Sequence, residues 1–455
     1  MDRETAERGR QRDRAIRRGG LATIAARAVT ALVSIAILAV ASRSLSHEEF
    51  GLVATLTSLY IVVSYAGLGL GGVLMTRLAA SRARDDHEAM RQVTTDALTA
   101  LGAIGTVLGG LGALSVFVLP WTKWLGTHTV SESEVKLSVA LFFIFSGISL
   151  VTIAGSSVLV AMQRLATDQI WTAIGGLMSL ILAAIAALLH LPPWGYIVAL
   201  TAGPGLTAAG RATWAIAVEY PYLRPRGRAK FDRRLGEFAK SSGYLGLISI
   251  AAAVSLSLDA VVVAAVKGAS AAAVFSVASR MFLLLGTVVG LVGRQVWSAL
   301  TEAINRGDFA WARSRYWRAI VVVGGVITLG SLPLVFVGRP LARIWVGSGL
   351  VPPLSLFVTL AAYTVYITVV SQASVLLLVT QRLKVLAIVG VLQTPVNLGI
   401  SILFTRWWGL VGPVFGSLIS HVLLVLPIIL VVSRRLLRGL ETTVPPPSAV
   451  GLAAP

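Results

Sequence analysis

Residues 156–165 read SSVLVAMQRL and residues 373–383 read ASVLLLVTQRL, which sets the two Gln-Arg pairs (at Gln163 and Gln381) 218 positions apart. Other pairs follow in the same order at offsets from 214 to 225. FGLVATL at Phe50 has a looser counterpart in FSVASRM at Phe275, and RARDDHEAMRQ (82–92) in NRGDFAWARSR (305–315). VFVLPWTKWLG (116–126) parallels VFVGRPLARIWVG (335–347), and PPWGYIVAL (192–200) parallels TRWWGLVGPV (405–414). Any one pair of apolar stretches matches easily, but collinear pairs along the whole chain mark two copies of one unit.

The unit is a set of membrane helices. The chain is 56% hydrophobic and 13% charged, with a mean hydropathy of +0.82, whereas a soluble domain carries about 25% charged residues. Apolar runs of roughly 20 residues, enough to cross a bilayer, recur from Leu21 nearly to the C-terminus. Short alternating segments of a β-barrel do not occur. The reading is an all-α polytopic protein with twelve spans, at about 21–42, 50–72, 93–119, 136–161, 168–190, 195–219, 241–265, 270–293, 317–338, 354–379, 384–405 and 409–432. Leu21–Ser42 lacks a small-residue cleavage signature and reads as a retained first span. Six spans per copy is even, so both copies enter the membrane in the same sense, a parallel repeat.

Charge orients the chain. Of 39 Lys and Arg, 29 fall on the tails and loops of one side and only 7 on the other; Arg27, Arg211 and Arg280 lie within spans. The positive-inside rule then places both termini in the cytoplasm and the protein in the cytoplasmic membrane. The organisation expected is a basic tail (1–20), a six-helix lobe (21–219), a basic linker (220–240), a second lobe (241–433) and a disordered tail (434–455). The excess of 19 positive charges is therefore topological and attracts anionic lipids; a nucleic-acid partner is not expected. Cysteine is absent, which removes disulfides, thiolate metal sites and Cys nucleophiles.

The stretch ASRSLSHEEFG (41–51) resembles the segment AR-x-LG-x-EE-[FY]-G near the start of oligosaccharide flippases. These are the Wzx-like branch of the superfamily that also holds lipid II flippases and MATE exporters. GLGLGGVLMTRLAA (67–80) resembles that family's passage from span two into the first cytoplasmic loop, and the Gln-Arg after span four agrees. Ser46 departs from the family's usual Gly. The resemblance implies a transporter, not an enzyme, that flips a polyprenyl-diphosphate-linked oligosaccharide to the outer leaflet. It implies polysaccharide polymerase or assembly proteins as candidate partners. A cation-coupled MATE-type exporter and a lipid II flippase are the alternatives.

Several motifs have local explanations. Ser46 and Glu49 form a capping box at the start of span two, which accounts for SHEE without a metal. Gly67–Gly72 satisfies GxGxxG formally, but a dinucleotide site needs a preceding strand; glycines ending a membrane helix serve close packing. Gly203, Pro204 and Gly205 in span six, and Pro395 with Asn397 in span eleven, are hinge candidates. His190 and His421 read as structural histidines. No His/Ser/Asp triad or Walker A motif stands out, which disfavours an embedded transferase or an ATP-driven pump.

Ionisable groups within spans are costly and functional by default. Arg27, Arg280 and, less centrally, Arg211 face one clear intramembrane carboxylate, Asp259. Asp96, Asp168 and Glu219 fall at span ends. Guanidinium binds phosphate bidentately and keeps its charge when buried. Arginines in spans one and eight also match lipid II flippases by helix. Arg27, Arg280 and Arg211 are thus expected to bind diphosphate, and Asp259 to pair with Arg280 or to couple transport to H+ or Na+. No bound cofactor or metal is expected.

Overall fold

The computed structural model describes residues 25–26, 28–82, 84–225, 257–305, 308–380 and 382–442. Arg27, Gln381, residues 226–240 of the linker, most of span seven and both chain ends lie outside them. Among the described residues every regular element is helical. The first half comprises α1 (Ala28–Ser44), α2 (His47–Arg82), α3 (His87–Leu114), the short α4 (Trp121–Leu125), α5 (Glu132–Ala161), α6 (Leu165–Leu188) and α7 (Pro193–Thr213). The second comprises α8 (257–267), α9 (Ala269–Asn305), α10 (Phe309–Val346), α11 (Leu354–Val379), α12 (Leu383–Trp408), α13 (Gly412–Ser420) and α14 (Leu426–Thr442).

The repeated phrases are repeated turns. At the end of α5, Met162 N donates to Val158 O and Arg164 N to Leu159 O (2.9 and 2.8 Å); at the end of α11, Thr380 N donates to Leu376 O and Arg382 N to Leu377 O (3.0 and 2.8 Å). Each partner is displaced by the same 218 positions as the Gln-Arg pairs. Asp86 and Asp308 likewise cap α3 and α10, their carboxylates accepting from Ala89 N at 2.9 Å and Trp311 N at 3.2 Å. Such caps satisfy helix N–H groups that would otherwise be orphaned. Gly126 and Gly347, the last residues of a third repeated pair, both take positive φ (61° and 86°) where α4 and α10 end, a conformation glycine adopts without a Cβ penalty.

The helices are longer than the apolar runs. α10 continues through Pro340 to Val346, so Arg339 and Arg343 ride its last turns, and the connection expected over 339–353 shrinks to 347–353. Residues 434–442, expected in a disordered tail, extend α14 instead. The start of the expected linker is packed: Leu223 is fully buried, and Tyr222 stacks on His87 with ring centroids 4.5 Å apart. The ends of α10 and α14 are amphipathic, with Ala342, Val346 and Leu437 buried and the arginines exposed, so each helix continues past its apolar run where hydropathy sees only charge.

The halves meet along α2 and α9, the helices that begin with the repeated Phe50 and Phe275, both buried. Gly51 sits so close to α9 that a Cβ there would lie 1.8 Å from the Ala269 carbonyl oxygen. Hydrogen bonds tie the halves at this end of the bundle. Ala269 N donates to Gly126 O (2.9 Å), Arg43 to Ile344 O (3.2 Å) and Trp345 Nε1 to Ile35 O (2.8 Å). The capping box forms as read, with Ser46 N donating to Glu49 at 2.8 Å and Glu49 N to Ser46 Oγ at 3.3 Å. Glu48 beside it is buried and accepts hydrogen bonds from the N–H groups of His128 and Thr129 and from the Thr129 hydroxyl.

Candidate functional site

Each half borders a cavity of about 390 Å³ whose mainly apolar wall carries a few charged and hydroxyl side chains. α2 is the wall between them: Ser58 faces the cavity of the C-terminal half, and Tyr60, two residues on, faces that of the N-terminal half. Successive side chains two apart on a helix point in nearly opposite directions, so one helix can serve both.

The C-terminal cavity is built on α8, α9 and α11, with Asp259, Arg280, Ser276, Ser279, Tyr363 and Thr364 in its wall. Asp259 and Arg280 are half-buried and form no ion pair with each other, so the structural pairing weighed for them from sequence is not made. Asp259 instead faces α13, accepting from the Ser417 hydroxyl at 3.2 Å. Ser417 Oγ lies 3.1 Å from Asn397 Oδ1, and Ser401 Oγ lies 3.0 Å from the same oxygen and 3.2 Å from the Pro413 carbonyl.

The side chains of Asp259, Asn397, Ser401 and Ser417 and the Pro413 carbonyl, from α8, α12 and α13, therefore form one hydrogen-bonded cluster. Oxygen-only donor sets suit hard cations.

Asn397, read as a hinge, thus carries its side chain into this cluster. Ser417 and Ser401 had no sequence signal beyond lying one helical turn from Pro413 and Asn397. Pro395 sits in an unbroken α12 and Pro204 in an unbroken α7. A Cβ on Gly203 would lie 2.9 Å from Ser179 N, so that glycine admits α6. Gly71 similarly packs on Ile153 and Ser157 of α5. His421 is buried, with Nδ1 2.7 Å from the Ser417 carbonyl and 3.1 Å from Gln393 Nε2, and Tyr363 meets its ring edge-on. His190 is exposed at φ 50°, the left-handed residue that ends α6.

The N-terminal cavity differs in its charge. Arg211 on α7 is only 8% exposed and donates to Asp168 of α6 at 2.8 Å and to Thr172 at 3.3 Å. Asp168, placed at a span end by hydropathy, is 4% exposed. It sits in the first turn of α6, deep enough because α7 covers it. Arg211 is therefore a neutralised cation rather than an unpaired one. Arg27 lies outside the described residues.

No protein-family model matches the chain, and no curated protein does. Solved structures match over almost the whole length. The inward-facing form of a multidrug resistance MATE family transporter of the MOP superfamily superposes with a TM-score of 0.78 at 15% identity, over 91% of this chain and 96% of that one. The outward-facing form of a MATE family transporter gives 0.68 at 16% identity, over 94% and 96%. A MOP superfamily transporter from Pyrococcus furiosus, described as having a binding pocket of reversed polarity that suggests a different function, gives 0.67 at 14%, over 94% and 96%. The chain thus has the fold of these MATE transporters, and among the described residues seven helical stretches are long and apolar enough to cross a membrane.

Proposed function

We propose that this protein is an alternating-access transporter that flips a polyprenyl-diphosphate-linked oligosaccharide from the cytoplasmic to the outer leaflet, in cell-envelope polysaccharide synthesis. The observation that carries this is Arg280, in a cavity of the C-terminal half that α2 also lines through Ser58, among hydroxyl side chains and not paired with Asp259 in the same wall. A diphosphate crossing hydrocarbon loses its hydration at large cost. A guanidinium with surrounding hydroxyls replaces that hydration. Arg27 joins Arg280 on the diphosphate in this reading, and Arg211 acts through its pair with Asp168.

Asp259 provides coupling. While it is ionised, its charge offsets that of Arg280 across the cavity. Neutralised at the Ser417–Asn397 cluster, by a proton or a bound cation, it leaves Arg280 uncompensated and better able to hold an anion. The contacts between halves, set on the outer side by the charge bias, agree with an inward-facing state, as does the higher TM-score to the inward-facing relative. Rocking one lobe against the other then exposes the cavity outward.

A MATE-type cation-coupled exporter is the second reading, favoured by the buried Asp168 in the N-terminal half. Native mass spectrometry of protein extracted gently from its own membranes, wild type beside Arg27→Ala/Arg280→Ala, separates the two. A polyprenyl-diphosphate glycan that co-purifies and is lost in the double variant is the expected result. No anionic lipid in either sample, together with cation-driven drug efflux abolished by Asp259→Asn, would sink the flippase and establish the exporter.

A further inference from the structure

α10 carries a basic site outside both cavities. At its C-terminal end a groove of about 490 Å³ is walled by Val335, Phe336, Arg339, Pro340 and Arg343, with Leu354 of α11 opposite. Both arginines are exposed, and neither makes an ion pair or hydrogen bond with the described residues. They lie four positions apart, so their side chains share one helix face, and Val335, four positions earlier, continues that face toward the middle of the helix. The rise of the helix sets the depth. Between Arg318 and Arg339 the sequence carries no charge, and at 1.5 Å per residue that stretch spans roughly 30 Å, the thickness of a hydrocarbon core. Arg339 thus stands where phospholipid phosphates begin, with Arg343 about 6 Å further out. Val335 and Phe336 lie at the level of the acyl chains, and Phe336 is 76% exposed.

Charge selects the headgroup. Two guanidiniums on one face donate to the oxygens of a phosphate. The connections of the C-terminal half at this end carry Lys267, Arg339, Arg343 and Arg406 and no carboxylate, so a headgroup ammonium gains nothing there and a headgroup of net negative charge meets only donors. The transported headgroup does not account for the groove, because α10 contributes no residue to the cavity that holds Arg280. We propose that the groove binds one anionic diacyl phospholipid of the outer leaflet, its phosphate between Arg339 and Arg343 and an acyl chain along Val335, Phe336 and Leu354. Arg343 directly precedes Ile344 and Trp345, which bond Arg43 and Ile35 of the other half. The lipid therefore sits on the helix end that joins the halves. This site stands apart from the diphosphate reading and does not rest on it.

The test places a fluorophore on Val358→Cys, an exposed position one turn below Leu354 in a chain without cysteine. The labelled full chain is studied in nanodiscs of phosphatidylglycerol and phosphatidylethanolamine in equal amounts, with one or the other brominated on its acyl chains. Each arginine near a membrane surface strengthens anionic-lipid binding severalfold, so quenching should give phosphatidylglycerol a relative binding constant roughly tenfold above phosphatidylethanolamine. Arg339→Gln/Arg343→Gln should bring that ratio close to one; either single substitution, lowering it about threefold, stands in if the pair does not fold. Arg315→Gln/Arg318→Gln, at the other end of the same helix, should leave it unchanged. A ratio near one without these substitutions overturns the proposal, as does a preference that survives Arg339→Gln/Arg343→Gln. A ratio that falls equally in both double variants reports net charge rather than a site and also overturns it. Fluorescence recovered by adding polyprenyl diphosphate at one-tenth the amount of phosphatidylglycerol would assign the groove to the transported lipid and overturn it too.

Discussion

The two halves share turns, caps and helix order, yet their buried arginines are treated differently. Arg211 is locked to Asp168 at 2.8 Å within one lobe. Arg280 shares a cavity with Asp259 without pairing to it, and Asp259 turns to Ser417 instead. A duplicated scaffold fixes where helices run. A few substitutions on facing helices then decide whether a charge is structural or available.

Stability should break the symmetry most. Asp168→Ala strands a buried guanidinium and should cost about 3–5 kcal/mol, whereas Asp168→Leu/Arg211→Leu, which removes both charges, should recover most of that loss. Asp259→Ala, which removes a partner of Ser417 and an offsetting charge that makes no direct pair with Arg280, should cost no more than about 1–3 kcal/mol. Thermal unfolding in detergent or nanodiscs measures all three, and equal losses at Asp168 and Asp259 would erase the distinction.

Ligand retention should break it the other way. Arg280→Ala removes a charge-assisted contact of about 1.5–3 kcal/mol, so polyprenyl-diphosphate affinity should fall by between one and two orders of magnitude. Arg211→Lys, which keeps the ion pair, should leave the affinity for the unglycosylated lipid close to wild type.

The junction of the halves sharpens the comparison, because only a moving junction lets one cavity face both sides. Gly51→Leu forces a side chain onto the Ala269 backbone and should cost the closed state about 1–3 kcal/mol. The chain has no cysteine, so spin labels on engineered pairs across α1 and α10 report the distance cleanly. An unchanged distance distribution would show that Gly51 does not hold the junction.

The smallest effect belongs to a feature of one half alone. Glu48 anchors the 127–129 loop, while its repeat counterpart, Ala273, has no carboxylate. Burial pushes the Glu48 carboxyl upward, but the Thr129 hydroxyl and the N–H groups of His128 and Thr129 together outweigh it and hold it below the usual range. Its contribution is thus present above the unfolded-state pKa and lost as pH falls through the lower folded value. Glu48→Gln should cost about 1 kcal/mol at neutral pH and flatten the acid limb of the stability–pH curve; a curve parallel to wild type would remove Glu48 from the acid response.

The repeat was legible because turns and caps are local. The Gln-Arg turn, the Asp86 and Asp308 caps and the Ser46–Glu49 box each depend on residues within five positions of one another; the box formed as read, and the turn and caps explain why the sequence repeats there. Arg280 and Asp259 were legible as costly charges in apolar runs. The depth of Asp168 was not, because hydropathy grades a residue by its neighbours in sequence, and it is α7 that buries this one. The ends of α10 and α14 escaped for a related reason, since their charged turns look like loops until the rest of the helix is seen to continue.

By itself, then, the sequence determined a helical membrane protein written as a repeat, with its costly charges within apolar runs marked. Hydrophobic length, charge bias and local capping are properties of contiguous residues. Only the tertiary structure decided which arginine was neutralised, that Asp259 joins Asn397, Ser401 and Ser417, and that α2 separates two cavities. Those outcomes depend on helices far apart in the chain approaching to hydrogen-bond distance, where a few ångströms separate an ion pair from two independent charges.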